Sequence, residues 1–184
     1  YEDLADPRWA GRVCSRSGQH LYNTSLFAAY LAKHGLEQTE AYLRSLKGNL
    51  ARPAAGGDRD GARDIFAGIC DVAIGNSYYV GLMRSGAGGQ LQRDWGQAIR
   101  VILPTFEDRL GTHVNVSGAA VAAHAPNLAN AIRLMEFLVS DEAQRLYAET
   151  NFEYPVTAET PAHPIITDLG TLTIDPLPLT EIAD

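Results

Sequence analysis

Apolar side chains recur every three or four residues along much of the chain, which is the spacing of amphipathic helices. The first such stretch starts where Asn23 or Thr24 can cap a helix, and it ends at Lys33-His34-Gly35. This helix is expected to begin directly after Tyr22. The same spacing predicts further helices over residues 38–46, 58–67, 78–84, 126–139 and 141–149.

Short runs of apolar and β-branched residues lie between these helices and predict strands. The runs cover residues 12–14, 69–74, 99–103, 113–116 and 119–122. The run over 69–74 is almost continuously apolar, as expected for a strand buried in a parallel sheet. Strands that alternate with helices predict an α/β fold with a mostly parallel sheet flanked by helices.

Two places in this predicted fold suit a ligand. In α/β sheets, ligands bind at the carboxyl ends of strands, beside the N-termini of helices. This rule selects the loop over residues 15–23 and the turn over residues 75–79, because each follows a predicted strand and precedes a predicted helix. The tail beyond Tyr154 carries five of the nine prolines, so it is expected to hold no more than a short regular element.

Size and charge narrow the classes of function. A chain of 184 residues and 19.9 kDa fits one large domain or two small lobes. The formal net charge is −7 and the pI is near 5.2, so a nucleic-acid-binding surface is not expected. No run approaches the roughly 18 consecutive apolar residues of a membrane span, so no transmembrane helix is predicted.

The residues that most often hold zinc do not form a zinc motif here. Cys14 and Cys70 stand 56 positions apart, outside any CxxC pattern, and the five histidines form no HExxH motif. The cysteine count alone fits two buried thiols or one disulfide equally well. Ser117 lies in Val-Ser-Gly, which lacks the first glycine of the GxSxG motif, so a serine hydrolase has thin support.

The block Asn76-Ser77-Tyr78-Tyr79 offers a different kind of metal site. Adjacent residues at the start of a helix project about 100° apart, so two tyrosines there can bind one ion. A phenolate is a hard oxygen donor suited to a hard, trivalent cation such as ferric iron, which lowers the phenol pKa on binding. The positive end of the helix dipole favours phenolates and an accompanying anion. Taken alone, however, a tyrosine pair is more often half-buried packing.

Longer stretches resemble the periplasmic ferric-ion-binding proteins of bacterial ABC importers, in the tyrosine-rich type. The matching stretches are residues 4–12, 67–79, 103–106, 111–118 and 130–144, and they occur in the same order. The Asn-Ser-Tyr-Tyr block is the most specific of them. The resemblance implies a type II periplasmic-binding fold, in which two α/β lobes close on the ligand, and a binding protein without enzymatic activity.

The same resemblance implies a ligand set. Tyr78 and Tyr79 match the paired iron-binding tyrosines of the family, and Tyr22 matches an additional tyrosine of the tyrosine-rich members. Carbonate or another synergistic anion is expected beside Fe3+. Asn76 resembles a residue that contacts this anion in some members, and Arg16 with Gly18 could serve the same purpose, although all three also fit structural roles in loops.

Cellular context follows from the family. An ABC permease in the inner membrane is the expected partner, and the periplasm is the expected compartment, with an export signal that this sequence does not contain. Because that compartment is oxidising, and because each cysteine lies in a predicted strand that leads to a ligand loop, Cys14 and Cys70 are expected to form a disulfide.

The sequence departs from the family at its front, where members carry a long further stretch that forms most of the N-terminal lobe. The chain is therefore expected to be a C-terminal fragment, with residues 1–108 and 160–184 forming the C-terminal lobe. Residues 109–159 would belong to the N-terminal lobe, and their apolar helices could pair two copies as a homodimer. The alternatives are a receptor of the same fold for an oxyanion or polyamine, and a hydrolase that uses Ser117.

Overall fold

The computed structural model describes residues 1–182, which form seven α-helices, three short 3-10 helices and a two-stranded sheet. The α-helices are α1 (Leu21–Gly48), α2 (Asp58–Phe66), α3 (Ser77–Ser85), α4 (Gln90–Ala98), α5 (Leu128–Leu138), α6 (Asp141–Asn151) and α7 (Pro164–Thr167). The strands are β1 (Val13–Cys14) and β2 (Val72–Ala73), and the 3-10 helices are Glu2–Ala5, Pro7–Trp9 and Leu179–Glu181.

The sheet is parallel, as predicted, but smaller than predicted. Strand β1 pairs with β2 so that Val13 lies opposite Val72 and Cys14 opposite Ala73. Residues 99–103, 113–116 and 119–122 form no strand, because a strand needs a neighbouring backbone and these segments find none among the described residues. Thr112, which directly precedes the segment 113–116, forms an isolated parallel bridge with Ile174.

A disulfide joins Cys14 in β1 to Cys70, two residues before β2 begins. Both cysteines are buried. The predicted pairing is confirmed, and it links the two strands whose ends lead to the predicted ligand loops.

Helix α1 joins the two helices that were predicted over 23–35 and 38–46. Its backbone leaves the helical conformation at Gly35, where φ is 77°, so the two halves meet at a kink. Glycine suits this position because positive φ is costly for residues with a Cβ. The predicted break is therefore confirmed, although the helix begins at Leu21, two residues earlier than expected.

The predicted helices α2, α3, α5 and α6 are confirmed within one or two residues, whereas α4 was not predicted. The sequence of α4 is mostly polar and carries only Leu91 and Trp95 as large apolar residues, so its helical period was too weak to detect. In the structure, Trp95 packs against the cluster that contains Val80 and Met83 of α3, and this tertiary contact stabilises α4.

Two apolar clusters lie in the core of residues 1–182. The larger one lies between α1 and the first residues of the chain, and its buried members are Val13, Leu26, Ala29, Tyr30, Tyr42, Leu46 and Phe106. The smaller one joins α2 to α3 through Ala62, Val80 and Met83. Gly61 lets α2 approach β2, because a Cβ there would lie only 2.9 Å from the Cβ of Ala73. These clusters fix α1, α2 and α3 around the ends of the two strands.

Helix α5 has the predicted amphipathic pattern, yet none of its residues is buried. Leu134 is 56% exposed and Phe137 is 43% exposed. The assignment of residues 109–159 to a second lobe remains a prediction. The assignment of residues 1–108 and 160–184 to one lobe also remains a prediction, and residues 183–184 lie outside the described ones.

Within residues 1–182, no helix has the length and apolar character needed to cross a membrane.

Candidate metal centre

The two predicted ligand loops lie side by side. Because β1 and β2 are parallel, the loop after β1 and the turn after β2 leave the sheet at the same end. A hydrogen bond of 3.2 Å from the amide of Ile74 to the carbonyl of Cys14 extends the pairing to this end. The first loop leads into α1 and the second into α3, so the N-termini of both helices meet here.

Tyr22 was predicted to lie just before the first helix. In the structure it lies in the first turn of α1. The cap is His20, whose Nδ1 accepts a hydrogen bond of 3.3 Å from the amide of Tyr22. Asn23, a predicted cap, instead lies within the first turn of α1, and its side chain is buried. Its side-chain amide donates to Ser15 Oγ at 3.0 Å and to the carbonyl of Arg16 at 3.1 Å, which fixes the loop against the helix.

Tyr78 and Tyr79 occupy the first turn of α3, as predicted, and both side chains are half-buried. Their ring centroids lie 4.2 Å apart at an interplanar angle of 32°. Asn76 is the N-cap by position, but its side chain forms no capping hydrogen bond.

The hydroxyls of Tyr22 and Tyr78 meet across the two loops, with a separation of 3.0 Å between their oxygens. Burial raises the pKa of Tyr78, and the hydrogen bond with Tyr22 and the neighbouring Tyr79 raise it further. Without a metal ion, the Tyr78 phenol is therefore protonated at neutral pH. A cation that binds here must displace this proton.

Positive side chains surround the tyrosine rings. The guanidinium of Arg16, a buried residue, lies 4.8 Å from the ring centroid of Tyr22 and 6.0 Å from that of Tyr79. Arg59, which is exposed, lies 5.3 Å from the Tyr79 ring. Arg16 Nη1 also lies 3.0 Å from the ring nitrogens of His20. The two arginines thus place positive charge beside the rings of Tyr22 and Tyr79.

Asp58, the first residue of α2, is a part of the site that the sequence analysis missed. Its Oδ1 lies 2.8 Å from Arg16 Nε, in an ion pair whose angle does not make it a hydrogen bond. Its Oδ2 accepts hydrogen bonds from the backbone amide of Asn76 at 2.8 Å and from Asn76 Nδ2 at 3.3 Å. An aspartate that opens a helix is common, so the sequence carries no signal that this one is buried.

The residues predicted to contact an anion are only partly brought together. Arg16 and Asn76 both contact Asp58, and Asn76 Oδ1 also accepts a hydrogen bond of 2.9 Å from Asn115 Nδ2. Gly18 is exposed, and its carbonyl accepts a hydrogen bond of 3.4 Å from the hydroxyl of Thr24. It borders an open groove along α1 rather than contacting Asn76.

The donor set at this place consists of phenol oxygens. Within residues 1–182, no group of three or more His, Cys, Asp or Glu side chains could hold a metal ion. Three tyrosines that ionise would supply three negative charges and three hard oxygens, which matches the charge and preference of a trivalent, hard cation. The chemistry of this candidate donor set therefore suits ferric iron better than zinc.

Comparison with known sequences assigns the chain to a family of binding proteins. The family model for bacterial extracellular solute-binding protein matches residues 1–168. Iron uptake protein A2 of Synechocystis is 43% identical over 178 residues, which cover 96% of this chain and 51% of that protein. The chain thus spans about half the length of the curated relatives it matches.

Solved structures show the fold. The Bordetella ferric binding protein superimposes with a TM-score of 0.91 at 58% identity, over 100% of this chain and 58% of the other. A Trichodesmium protein solved with iron and citrate superimposes with a TM-score of 0.92 at 34% identity, over 99% and 57% of the two chains. The chain therefore has part of a type II periplasmic-binding fold, as predicted.

Proposed function

Because the chain belongs to the family of bacterial extracellular solute-binding proteins, we propose that it is the ferric-iron-binding part of such a protein in iron uptake. One observation carries this proposal: the hydroxyls of Tyr22 and Tyr78 lie 3.0 Å apart at the N-termini of two helices, with the Tyr79 ring beside them. The similarity to an iron uptake protein of Synechocystis and to a ferric binding protein of Bordetella supports it.

Tyr22, Tyr78 and Tyr79 bind Fe3+ as phenolates in this proposal. Their negative charges balance the charge of the ion, and the cation of Arg16 together with the helix N-termini stabilises the ionised rings. A site with three protein ligands is open, so an anion such as carbonate, or water, completes the coordination. Asn76, Arg16 and Gly18 are the proposed contacts of that anion, and the Trichodesmium relative, which was solved with iron and citrate, supports the proposal of an accompanying anion.

The proposed setting is the periplasm, where the protein delivers iron to an ABC permease in the inner membrane and catalyses no reaction. Residues 1–108 with 160–184 form the iron-binding lobe in this proposal, and 109–159 belong to a second lobe. The exposed apolar face of α5 supports the proposal that two copies of this chain pair through it.

The alternative functions have less support. A polyamine receptor needs carboxylates free to bind ammonium groups, whereas the buried carboxylate of Asp58 is already paired with Arg16. Ser117 is exposed and, among the described residues, its hydroxyl forms no hydrogen bond with a histidine. Ser25 does contact His113, at 3.0 Å, but no carboxylate in the described residues hydrogen-bonds this ring.

A ferric titration followed by visible absorbance separates these functions. We expect ferric iron, supplied as a weak chelate with carbonate present, to produce a tyrosinate charge-transfer band that saturates at one ion per chain. An oxyanion receptor would bind phosphate or sulfate in calorimetry without this band, and a hydrolase would turn over an activated ester. Either of those results without the band would contradict the proposal.

A further inference from the structure

One carboxylate contacts both loops that carry the tyrosines. The side chain of Asp58 is only 4% exposed and lies 2.8 Å from Arg16 in the first loop. Its other oxygen accepts the backbone amide of Asn76, which directly precedes α3, at 2.8 Å. The backbone at Gly75 packs closely against the same side chain, since a Cβ there would lie 3.2 Å from the Cβ of Asp58.

We propose that Asp58 is a positioning residue, which clamps the two loops and holds the hydroxyls of Tyr22 and Tyr78 together before the metal ion arrives. This inference rests on the proposed ferric-binding function. It assigns to Asp58 a role in pre-organising the ligands, not contact with the ion, because its oxygens are occupied by Arg16 and Asn76.

Few hydrogen bonds join the two loops directly beyond the end of the sheet. The backbone hydrogen bonds between the two strands end at the bond from Ile74 to Cys14. Beyond this point, and within the part of the chain that the structure describes, the bond between Tyr22 and Tyr78 is the only direct hydrogen bond between residues 15–23 and residues 75–79. Asp58 adds a polar bridge between the two loops, and it does so from a third element, α2.

The charge of Asp58 matters as much as its hydrogen bonds. The side chain of Arg16 is only 6% exposed and lies within 5 Å of the Tyr22 ring, so its charge acts in a poorly solvated region. Unpaired, this cation would repel Fe3+. Paired with Asp58, it stays in place beside the rings without adding net positive charge. Asparagine at position 58 would keep an acceptor for the Asn76 amide but lose this compensation.

Asp64 on the same helix provides a matched control. Its side chain is 1% exposed and is paired with Arg52 and Arg63, so it is also a buried carboxylate with arginine partners. Neither partner belongs to a tyrosine loop. A purely structural role would give Asp58 and Asp64 the same consequences, namely loss of stability without any change at the tyrosines.

The experiment compares Asp58→Asn, Asp58→Ala and Asp64→Asn in the full chain. Ferric affinity and the visible band are measured on folded protein, and NMR of tyrosine labelled with 13C at Cζ is recorded on metal-free protein. We expect Asp58→Asn to weaken ferric binding about 10- to 100-fold, to shift the band, and to move the Tyr22 and Tyr78 signals. Asp58→Ala should have a larger effect, and Asp64→Asn should keep ferric affinity within about twofold.

Each outcome decides something. Folded Asp58→Asn protein with the parent's affinity, band and tyrosine signals would overturn the clamp. If Asp58→Asn does not fold, the Arg16→Gln/Asp58→Asn double variant, which buries no unpaired charge, replaces it, and unchanged tyrosine signals in that variant would overturn the clamp equally. If the parent itself binds no ferric iron, the proposed function fails, while the signals of metal-free protein still test the clamp.

Discussion

Residues 1–108 and residues 109–159 differ in how well their apolar side chains are buried and their charged side chains are paired. The first region carries both apolar clusters except for Leu177, Ile182 and Leu169 at their edges, and it also holds the disulfide and the buried pairs of Asp58 and Asp64. In the second region, α5 buries no residue, and the few buried apolar side chains, Ala143, Ala148 and Phe152, belong to α6 and the residue that follows it. A ligand site needs supported side chains, and all three candidate tyrosines lie in the region that supplies this support.

The two regions do touch beside the site. Asn115 donates a hydrogen bond to Asn76, and Phe152, which is buried, packs where Gly81 leaves room on α3. The difference between the regions is thus one of packing rather than of contact. It predicts that changes in the first region cost stability or iron affinity, whereas changes on the exposed face of α5 do not.

The disulfide gives the largest expected loss of stability. Replacing Cys14 and Cys70 by serine reopens a loop of 56 residues and should lower the free energy of unfolding by about 4 kcal/mol in the chain-entropy model. Chemical denaturation of oxidised parent and variant measures the difference. Parent protein denatured without reductant should also show no reactive thiol; two reactive thiols, or a stability change below about 1 kcal/mol, would contradict this prediction.

How far the sequence predicts the structure depends on where the partners of each segment lie. Local signals sufficed for α3, because Asn76 precedes a helical stretch, and for the kink at Gly35. The prediction of strands over 99–103 and 119–122 was wrong, because a β-prone run becomes a strand only when it pairs with another backbone segment. Likewise, the tyrosines could be found from their position at helix starts and their family resemblance, whereas the burial of Asp58 depends on three segments distant in sequence.

Replacing the buried Asp64 by asparagine is expected to give the next largest loss of stability. Burial alone would raise its pKa, but hydrogen bonds from Arg52 and Arg63 outweigh burial and hold the pKa below its ordinary value. A carboxyl whose pKa falls on folding stabilises the protein above its unfolded pKa of about 3.9, and this contribution is lost as pH falls through the lower, folded value. Asp64→Asn should therefore cost about 3 kcal/mol at pH 7 and less in acid.

Denaturation of parent and Asp64→Asn protein at pH 7 and near pH 3 checks this sign. The gap in unfolding free energy should narrow toward the acid end. A gap of constant size at both values would show that the charge of Asp64 does not stabilise the fold.

The change of ferric affinity with pH is expected to be smaller, for each pH unit, than the losses of stability above. Because burial and the bond to Tyr22 raise the pKa of Tyr78, its phenol must lose a proton to bind the ion. Ferric affinity should then rise with pH by about 1.4 kcal/mol, or tenfold, per unit for each proton released. Titrations at several pH values against a chelator of known ferric affinity measure this slope, and a flat profile would exclude phenol ligands.

The exposed face of α5 should give the smallest effect on stability. Leu134→Ser with Phe137→Ser changes two side chains that lie on the surface, so the unfolding free energy should change by about 0.5 kcal/mol or less. Sedimentation of the parent should show self-association that this variant lacks. A large loss of stability in the variant would mean that α5 packs against the rest of the chain, and a monomeric parent would contradict the proposed homodimer.

The most direct test compares parent protein with the Tyr78→Phe/Tyr79→Phe double variant in one ferric titration. Phenylalanine keeps the ring packing but has no oxygen to bind the ion, so the variant should fold like the parent. We predict that its ferric affinity falls by more than about 100-fold and that the visible tyrosinate band is lost or strongly reduced. Tyr22→Phe should weaken binding in the same direction. A folded double variant that binds ferric iron as tightly as the parent, with the same visible band, would contradict the tyrosinate site.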